Sequence, residues 1–249
     1  VGERLMIRGI YTNAAAMNSQ LLKQEVTANN LANANTTGFK KEGVFRKYLV
    51  DHDTILRQNA TDFKNLEDVD AVIINFQQGE LYPTSNPLDT AIEGDGFFVI
   101  QTPRGVRYTR NGNFQLDQDG FLVTGNGYPV LGGEGLIQLE GQNVFIGDDG
   151  TVTVDEELVA ALQIVDFPKP YRLNKIGDGL FEAEEGTAFQ LNTDRFKLRQ
   201  GYLEQANVEI IEEMVNLIQT ARDFETNQKS ITMQDTTLDR AVNDVGRVR

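Results

Sequence analysis

The sequence predicts an α+β protein, in which a mainly antiparallel β domain is inserted between N- and C-terminal helices that pair as a coiled coil. Three observations support this prediction. Both ends of the 249-residue chain carry apolar residues at helical spacing. The middle holds 14 of the 23 glycines, between Gly79 and Gly150, and short apolar runs alternate with turn sequences there. Glycine at that density interrupts helices and forms turns, whereas a 3.5-residue repeat is typical of paired helices.

The N-terminal helix is predicted from a repeat whose members are spaced alternately by three and four residues. The repeat comprises Ile7, Ile10, Ala14, Met17, Leu21, Gln24, Ala28 and Leu31. This spacing places its members in one stripe along a helix, with Gln24 as the single polar member. We expect the helix to end in the Asn- and Thr-rich run 33–38, since these side chains compete for backbone hydrogen bonds and Gly38 can adopt the left-handed conformation.

A longer repeat predicts the C-terminal helix, with Asn207 as its N-cap and acidic residues in the first turns, where the helix dipole favours them. The repeat comprises Ile210, Met214, Leu217, Ala221, Phe224, Gln228, Ile231, Asp235, Leu238, Val242 and Val245. A 3.5-residue period held over five heptads predicts a left-handed supercoil with a partner helix. We expect the polar members Gln24, Gln228 and Asp235 to set the register.

Two amphipathic helices lying flat on a globular core are the alternative to a coiled coil. Both stripes are narrow for that arrangement, and the two chain ends carry opposite net charge. Residues 1–50 contain seven basic and three acidic residues, whereas residues 201–249 contain five and nine. A hairpin of the two termini satisfies both observations, so the members of the two repeats other than Asp235 and Val245 are the predicted assembly interface.

The middle of the chain is predicted to form short antiparallel strands joined by Asn-Gly and Asp-Gly turns. The expected strands lie at 97–100, 107–110, 114–116, 121–124, 128–131, 144–146, 151–154, 162–165 and 179–181. The predicted division of the chain follows: 1–38 for the N-terminal helix and Asn-rich loop, 39–78 for a partly extended connection, 79–200 for the β domain and 201–249 for the C-terminal helix.

Composition excludes several classes of site. The chain has no cysteine and one histidine, His52, so disulfides, Cys-zinc sites, Cys nucleophiles and multi-His metal sites are excluded. A net charge of −14 argues against nucleic acid or an anionic lipid surface as the main partner. No apolar run is long enough to predict a transmembrane segment. The run 117–120 resembles the start of a calcium loop, but its twelfth position is Tyr128 and not an acid, so we predict a turn.

The remaining candidates for catalysis are weak. Gly94-Asp95-Gly96 lacks the third glycine of a dinucleotide motif and precedes a strand where the motif requires a helix, so it is predicted to be a turn. Acidic pairs such as Glu93 and Asp95 arise by chance among 37 acidic residues. His52 is accompanied by no G-x-S-x-G motif. The sequence therefore predicts no enzyme, no cofactor, no metal site and no small-molecule substrate.

Long motifs in order along the chain resemble the bacterial flagellar rod, hook and hook-associated axial proteins. They are NNLANANTTGFK at 29–40, TSNPLDTAIEGDGFF at 84–98, YTRNGNF at 108–114, GFLVT at 120–124, GYLEQANV at 201–208 and EMVNLI at 213–218. The residues that carry the family motif are Asn29, Asn30, Leu31, Ala32, Asn33, Gly38, Phe39, Asn86, Pro87, Leu88, Asp89, Gly94, Gly96, Phe97 and Phe98.

This resemblance implies subunits that stack helically around a channel, with the terminal helices inside and the β domains outside. It implies self-association and partners among the other rod, hook and export-gate proteins. It also implies a place in the basal-body rod, crossing the periplasm or cell wall, after export through the flagellar type III apparatus without a cleaved signal. The run 238–248 and the short 41–78 connection are more similar to the proximal-rod protein than to the distal-rod or hook protein.

Two alternatives come from other classes of protein. A secreted adhesin or carbohydrate-binding β domain with helical oligomerisation arms would explain the helices and the strands, but not the ordered motifs. A wall-cleaving hydrolase is the weaker alternative. Within the resembling family, a distal-rod or other axial protein of the hook and basal body is the alternative to the proximal rod.

Overall fold

The computed structural model describes residues 2–48, 68–141, 143–184, 186–187, 190–191 and 196–246. It divides into two units. The first comprises Val1–Ala32, Lys41–Asn75 and Val208–Arg249, and the second comprises Asn33–Lys40 and Phe76–Asn207. The backbone therefore passes between the units at four places. His52 lies outside the described residues.

The first unit contains two long helices and a two-stranded ribbon. Helix α1 spans Gly2–Ala32 and helix α2 spans Ile210–Gly246. Strand β1, Glu42–Tyr48, pairs antiparallel with strand β2, Asp68–Ile74. The two helices contact each other. In the described part of the chain, neither helix contains a stretch apolar enough to span a bilayer.

Both terminal helices are present, as the sequence predicts. Helix α1 ends at Ala32, and Thr36 N then donates a hydrogen bond to Asn33 O at 2.9 Å in the following turn. Gly38 has a φ of 67°, so it adopts the predicted left-handed conformation. It does so six residues beyond the helix, however, and serves the loop instead of the helix C-cap.

The second unit is a β domain in which every strand pairing of the described residues is antiparallel, as the sequence predicts. Its strands are β3 Leu81–Pro83, β4 Thr90–Gly94, β5 Phe97–Thr102, β6 Gly105–Thr109, β7 Phe114–Leu116, β8 Leu122–Thr124, β9 Leu131–Gly132, β10 Gly135–Leu136, β11 Val144–Ile146, β12 Thr151–Val154, β13 Glu157–Ala161, β14 Ile164–Asp166, β15 Leu173–Gly177, β16 Leu180–Ala183, β17 Gln190–Leu191, β18 Phe196–Gln200 and β19 Tyr202–Glu204.

The main sheet has the strand order β15-β16-β6-β5-β14-β17, and a second sheet has the order β11-β12-β13. The pairs β4-β18, β3-β19, β7-β8 and β9-β10 form smaller ribbons. The strands β18 and β19 thus bring the end of the domain back onto its beginning. The sequence pattern missed β3, β10, β17 and β19, because strands of two or three residues carry too little periodicity to be read, and it also missed the five-residue strands β4, β13, β15 and β18.

Strand β5 separates two apolar layers of the domain. Phe98 and Ile100 point into the main core, which also contains Leu122, Val152 and Leu198. Phe97 points to the other face, where it lies edge-on to Tyr171 with ring centroids 5.6 Å apart and packs with Phe76 and Phe181. The alternation follows from the two-residue period of a strand. The FF pair of the family motif therefore serves both layers.

Gly112 differs from its prediction as a hairpin turn residue. Strand β6 pairs with β5 and β16, whereas β7 pairs with β8, so Asn111-Gly112 does not connect two paired strands. Thr90 N donates a hydrogen bond to Gly112 O at 3.0 Å, and a Cβ on Gly112 would overlap the Thr90 carbonyl oxygen. Close approach of two backbones, and not turn geometry, requires glycine there.

We expect Gly112→Ala to destabilise the β domain by about 1–3 kcal/mol or more, because the added methyl must displace backbone atoms of β4. The measurement is urea unfolding followed by far-ultraviolet circular dichroism. Gly125→Ala is the matched control, since a Cβ there meets nothing within 4 Å, and we expect a change within about 0.5 kcal/mol. Equal effects of the two substitutions would contradict this packing.

Candidate assembly interface

The predicted repeat on α2 divides between two faces of the helix. Leu217, Phe224 and Ile231 are half-buried, whereas Met214, Gln228 and Asp235 are exposed. The remaining inward positions hold polar residues that lie one residue before the predicted members: Glu213, Thr220, Asn227 and Gln234. The inward stripe therefore keeps the alternating spacing of four and three residues, but every second member differs from the prediction. Ile210 is exposed and Ala221 is half-buried.

Helix α1 shows the same one-residue shift. Met17, Gln24 and Leu31 are half-buried, as in the predicted stripe, whereas Ala14, Leu21 and Ala28 are exposed. The residues before these exposed members, Asn13, Gln20 and Thr27, are half-buried or buried in their place. The backbone at Ile7, Ile10, Leu238, Val242 and Val245 is helical, but the exposure of these side chains lies outside what the structure describes.

Two of the inward polar residues bond to each other across the helix pair. Asn227 Nδ2 donates to Gln20 Oε1 at 3.1 Å, joining α2 to α1. The heptad spacing of the predicted repeats instead selected Leu21 and Gln228, each one residue after Gln20 or Asn227. The two polar side chains fit the helix pair because their hydrogen bond offsets the cost of burial. The polar residues expected to set the register at 228 and 235 are thus exposed, whereas Gln20 and Asn227 make a polar contact between the helices.

A second polar contact lies where α1 ends and α2 begins. The Asn30 side chain is buried; its Nδ2 donates to Glu42 O at 2.8 Å and its Oδ1 accepts from Glu42 N at 2.9 Å. Asn30 Nδ2 also lies 3.3 Å from Glu213 Oε2, while Lys41 Nζ lies 2.7 Å from Glu213 Oε1. Burial acts to lower the pKa of Lys41, but the hydrogen bond and charge of Glu213 outweigh it and raise that pKa.

The first turns of α2 expose an apolar stripe on the side away from the inward stripe. Ile211, Met214, Val215 and Ile218 are 78%, 48%, 61% and 55% exposed. Their spacing of i, i+3, i+4 and i+7 places them on one face, which we call the outer stripe. The same face continues into Arg222, Glu225 and Lys229, so the apolar part is confined to about two turns. Four neighbouring exposed apolar side chains form the kind of surface patch that is typical of contact sites.

Met214 is the one member of the outer stripe that belongs to the predicted repeat. The predicted repeat follows a single stripe along the helix, and Ile211, Val215 and Ile218 lie outside that stripe. An i, i+3, i+4, i+7 search over 211–218 finds all four.

The family-motif residues of the second unit are structural supports. Asn86 and Asp89 close a turn, in which Asn86 Nδ2 donates to Asp89 Oδ1 at 3.0 Å, and Asn113 Nδ2 donates to the same oxygen at 2.9 Å. Gly94 and Gly96 have φ of 107° and 130° around the predicted turn. Phe39, Phe97 and Phe98 are buried, and Pro87 and Leu88 lie in the turn before β4.

The rest of the motif lies at the end of α1, where Asn29, Leu31 and Ala32 flank the buried Asn30, and Asn33 begins the following turn. No group of three or more Asp, Glu or His side chains in the described residues is arranged to hold a metal ion.

Three family descriptions match successive parts of the chain, and together they define a class of flagellar structural protein. "Flagella basal body rod protein" matches residues 10–40, "Flagellar hook protein FlgE/F/G D1 domain" matches 91–154, and "Flagellar basal body rod FlgEFG protein C-terminal" matches 199–244. The first and last matches cover the segments that contain Asn30 and the outer stripe.

Full-length relatives make the assignment specific. The chain is 36% identical to the flagellar basal-body rod protein FlgG of Bacillus subtilis, over 96% of this chain and 99% of the relative. It is 34% identical to the flagellar basal-body rod protein FlgF of Salmonella typhimurium, over 95% and 97%. It is 33% identical to FlgF of Caulobacter vibrioides, over 98% of both. The chain belongs to the flagellar basal-body rod protein family and is a structural protein rather than an enzyme, as the sequence predicts.

We expect Glu213→Gln to destabilise the pairing of α1 and α2 by about 1–3 kcal/mol, because Lys41 and Asn30 lose a buried charged partner. The measurement is thermal unfolding followed at the helical circular dichroism band. The adjacent Glu212→Gln is the control, since Glu212 is 60% exposed and lies 3.5 Å from Lys41. It should change stability by at most about 1 kcal/mol, and equal losses would contradict the role assigned to Glu213.

Proposed function

We propose that this structural subunit of the flagellar basal-body rod polymerises helically through its terminal helices into a hollow shaft that transmits torque. The outer stripe is the observation that carries the proposal. It is an apolar face on the helix that the C-terminal rod match covers, and its side chains are exposed in the single chain. Burial of each Ile, Val or Met side chain against a neighbouring copy stabilises the contact by roughly 1.5–3 kcal/mol.

The contact is heterologous, joining α2 of one copy to a different surface of the next. Such a contact, repeated with a fixed rotation that does not close into a ring, builds an open helical assembly. Rigidity in this account comes from many packed helices acting together. The predicted assembly residues that are exposed here, such as Leu21 and Met214, belong to the same proposed interface.

We further propose that α1 and α2 pair as a coiled coil. The inward stripes support this, since α1 positions 13, 17, 20, 24, 27 and 31 and α2 positions 213, 217, 220, 224, 227, 231 and 234 all follow the 3.5-residue spacing. The hydrogen bond between Gln20 and Asn227 is the polar contact that would set the register of such a pair.

The proposed partners are other copies of this chain, other rod and hook proteins, and the export gate. The proposed route is export through the flagellar type III apparatus without a cleaved signal, to a rod that crosses the periplasm or cell wall. The relatives are named as basal-body rod proteins, so assignment to the proximal rod stays a prediction from the run 238–248. The adhesin and hydrolase alternatives are not favoured, because neither accounts for rod relatives that match nearly the whole chain.

We expect Met214→Asp to prevent incorporation into rods while leaving the β domain folded, because a carboxylate in the contact must be desolvated without a partner. The measurement is the number of basal bodies with complete rods in cells whose only copy of this protein carries the substitution. Far-ultraviolet circular dichroism of the purified variant reports folding.

Met233→Asp is the matched control. Met233 is on the same helix and is 70% exposed, but it lies beyond the charged part of that face. This variant should assemble normal rods. Normal rods with Met214→Asp, or equal loss with both substitutions, would overturn the proposed use of the outer stripe.

A further inference from the structure

The carboxylate of Glu204 is buried between two cations of the second unit. Its Oε1 lies 2.6 Å from Lys40 Nζ and accepts a hydrogen bond from Gly79 N at 2.9 Å, while its Oε2 lies 3.4 Å from Arg110 Nη1. The side chains of Lys40, Glu204 and Arg110 are 0%, 0% and 3% exposed. Arg110 Nη2 also donates to Gly94 O at 2.8 Å. One carboxylate thus joins four segments that are distant in sequence.

The same group lies where the chain enters and leaves the second unit. Lys40, Phe76 and Asn207 are the unit's residues at three of the four crossing points. Lys40 Nζ donates to Gln77 O at 2.8 Å, and Asn207 Nδ2 donates to the same oxygen at 2.9 Å. We call Lys40, Gln77, Glu204 and Asn207 the exit clamp. Each of these contacts lies within the second unit.

Backbone hydrogen bonds connect the same segments. Gly38 N donates to Glu204 O at 2.8 Å, Gln205 N donates to Glu80 O at 2.8 Å, and Asn207 N lies 3.4 Å from Phe39 O. The three exit segments, which end or begin at Lys40, Phe76 and Asn207, are therefore bonded to one another as well as to the β domain. A change at one of them must be transmitted to the other two.

Buried charge makes this arrangement cooperative. Removing one partner of a buried ion group leaves the others desolvated and uncompensated, so the group is stable only when it is complete. Burial lowers the pKa of Lys40, and the opposite charge of Glu204 acts against that change. The group therefore favours a single arrangement of the exit segments over several partly bonded ones.

We infer that the exit clamp is a mechanical anchor that fixes the three exit segments as one unit, so that load carried along the chain between the helices and the β domain is shared among them. This inference rests on the proposed function, because a subunit that transmits torque needs its chain connections to resist local unfolding. A single unclamped segment would carry the load alone and open at lower force.

Hydrogen exchange of the purified full-length chain tests the clamp without any assembly. Lys40→Met keeps the side-chain stem and removes the charge. We expect the amides of Gly38, Gly79 and Asn207, one in each exit segment, to exchange at least about tenfold faster together, since the lost charged contact supports the hydrogen bond of each. The core amide of Leu122, which donates to Ile137 O at 2.9 Å, should keep its wild-type rate.

Lys169→Met is the matched control, since Lys169 pairs with Asp95 at 2.7 Å but is 57% exposed. This variant should leave the exchange rates of all three amides unchanged.

Asn207→Ala provides a milder test should Lys40→Met fail to fold. It removes the Nδ2 bond to Gln77 O, and we expect a smaller acceleration at the same three amides. Acceleration at only one exit segment, or at none, would overturn the clamp. Equal acceleration at Leu122 with Asn207→Ala would also overturn it, because the effect would then be general destabilisation.

Motility tests the mechanical role. Cells carrying Lys40→Met should build rods in normal number but lose swimming in viscous medium at a lower viscosity than cells carrying Lys169→Met. Equal swimming of the two strains would overturn the load-sharing role. Normal rods in cells that lack the chain altogether would refute the proposed function instead, and the exchange result would still decide whether the clamp exists.

Discussion

The arrangement of the β domain depends on one buried ion group. Glu204 compensates two cations that have almost no access to water, and its backbone and side chain both bond to the loop that follows α1. Motifs at 29–40, 108–114 and 201–208 meet at this carboxylate, which accounts physically for three patterns that look unrelated in the sequence. Each contributes one charge or one backbone group to the same buried site.

In the helix pair, several inward positions hold polar residues, and several exposed positions hold apolar ones. Gln20 and Asn227 occupy inward positions and bond to each other, whereas Leu21, Ile211, Val215 and Ile218 are exposed. For a monomer this distribution is unfavourable, since apolar surface remains in water. For a subunit that assembles through this face, as we propose, it is favourable, because the outer apolar side chains leave water on assembly.

The sequence predicts the elements better than their contacts. Both helices, the antiparallel character of the domain and strands such as β5, β11 and β12 follow from local periodicity and turn residues. The predicted stripes are wrong by one residue at every second position of the helix pair. Local periodicity carries no information about a hydrogen bond between side chains 207 residues apart. It cannot identify the Lys40–Glu204 pair for the same reason, since 164 residues separate its members. Gly112 is a further example, because a glycine after asparagine predicts a turn. Its packing role depends on the Thr90 backbone, which is adjacent only in the folded chain.

Burial of the outer stripe in assembled rods is the central claim, and the cysteine-free sequence makes it directly measurable. Val215→Cys introduces the only thiol of the chain, on a side chain that is 61% exposed in the single subunit. A maleimide should label the purified variant fully and label it poorly in isolated basal bodies, whereas Met233→Cys should react in both. Equal labelling of Val215→Cys in free subunits and in rods would contradict assembly through this face.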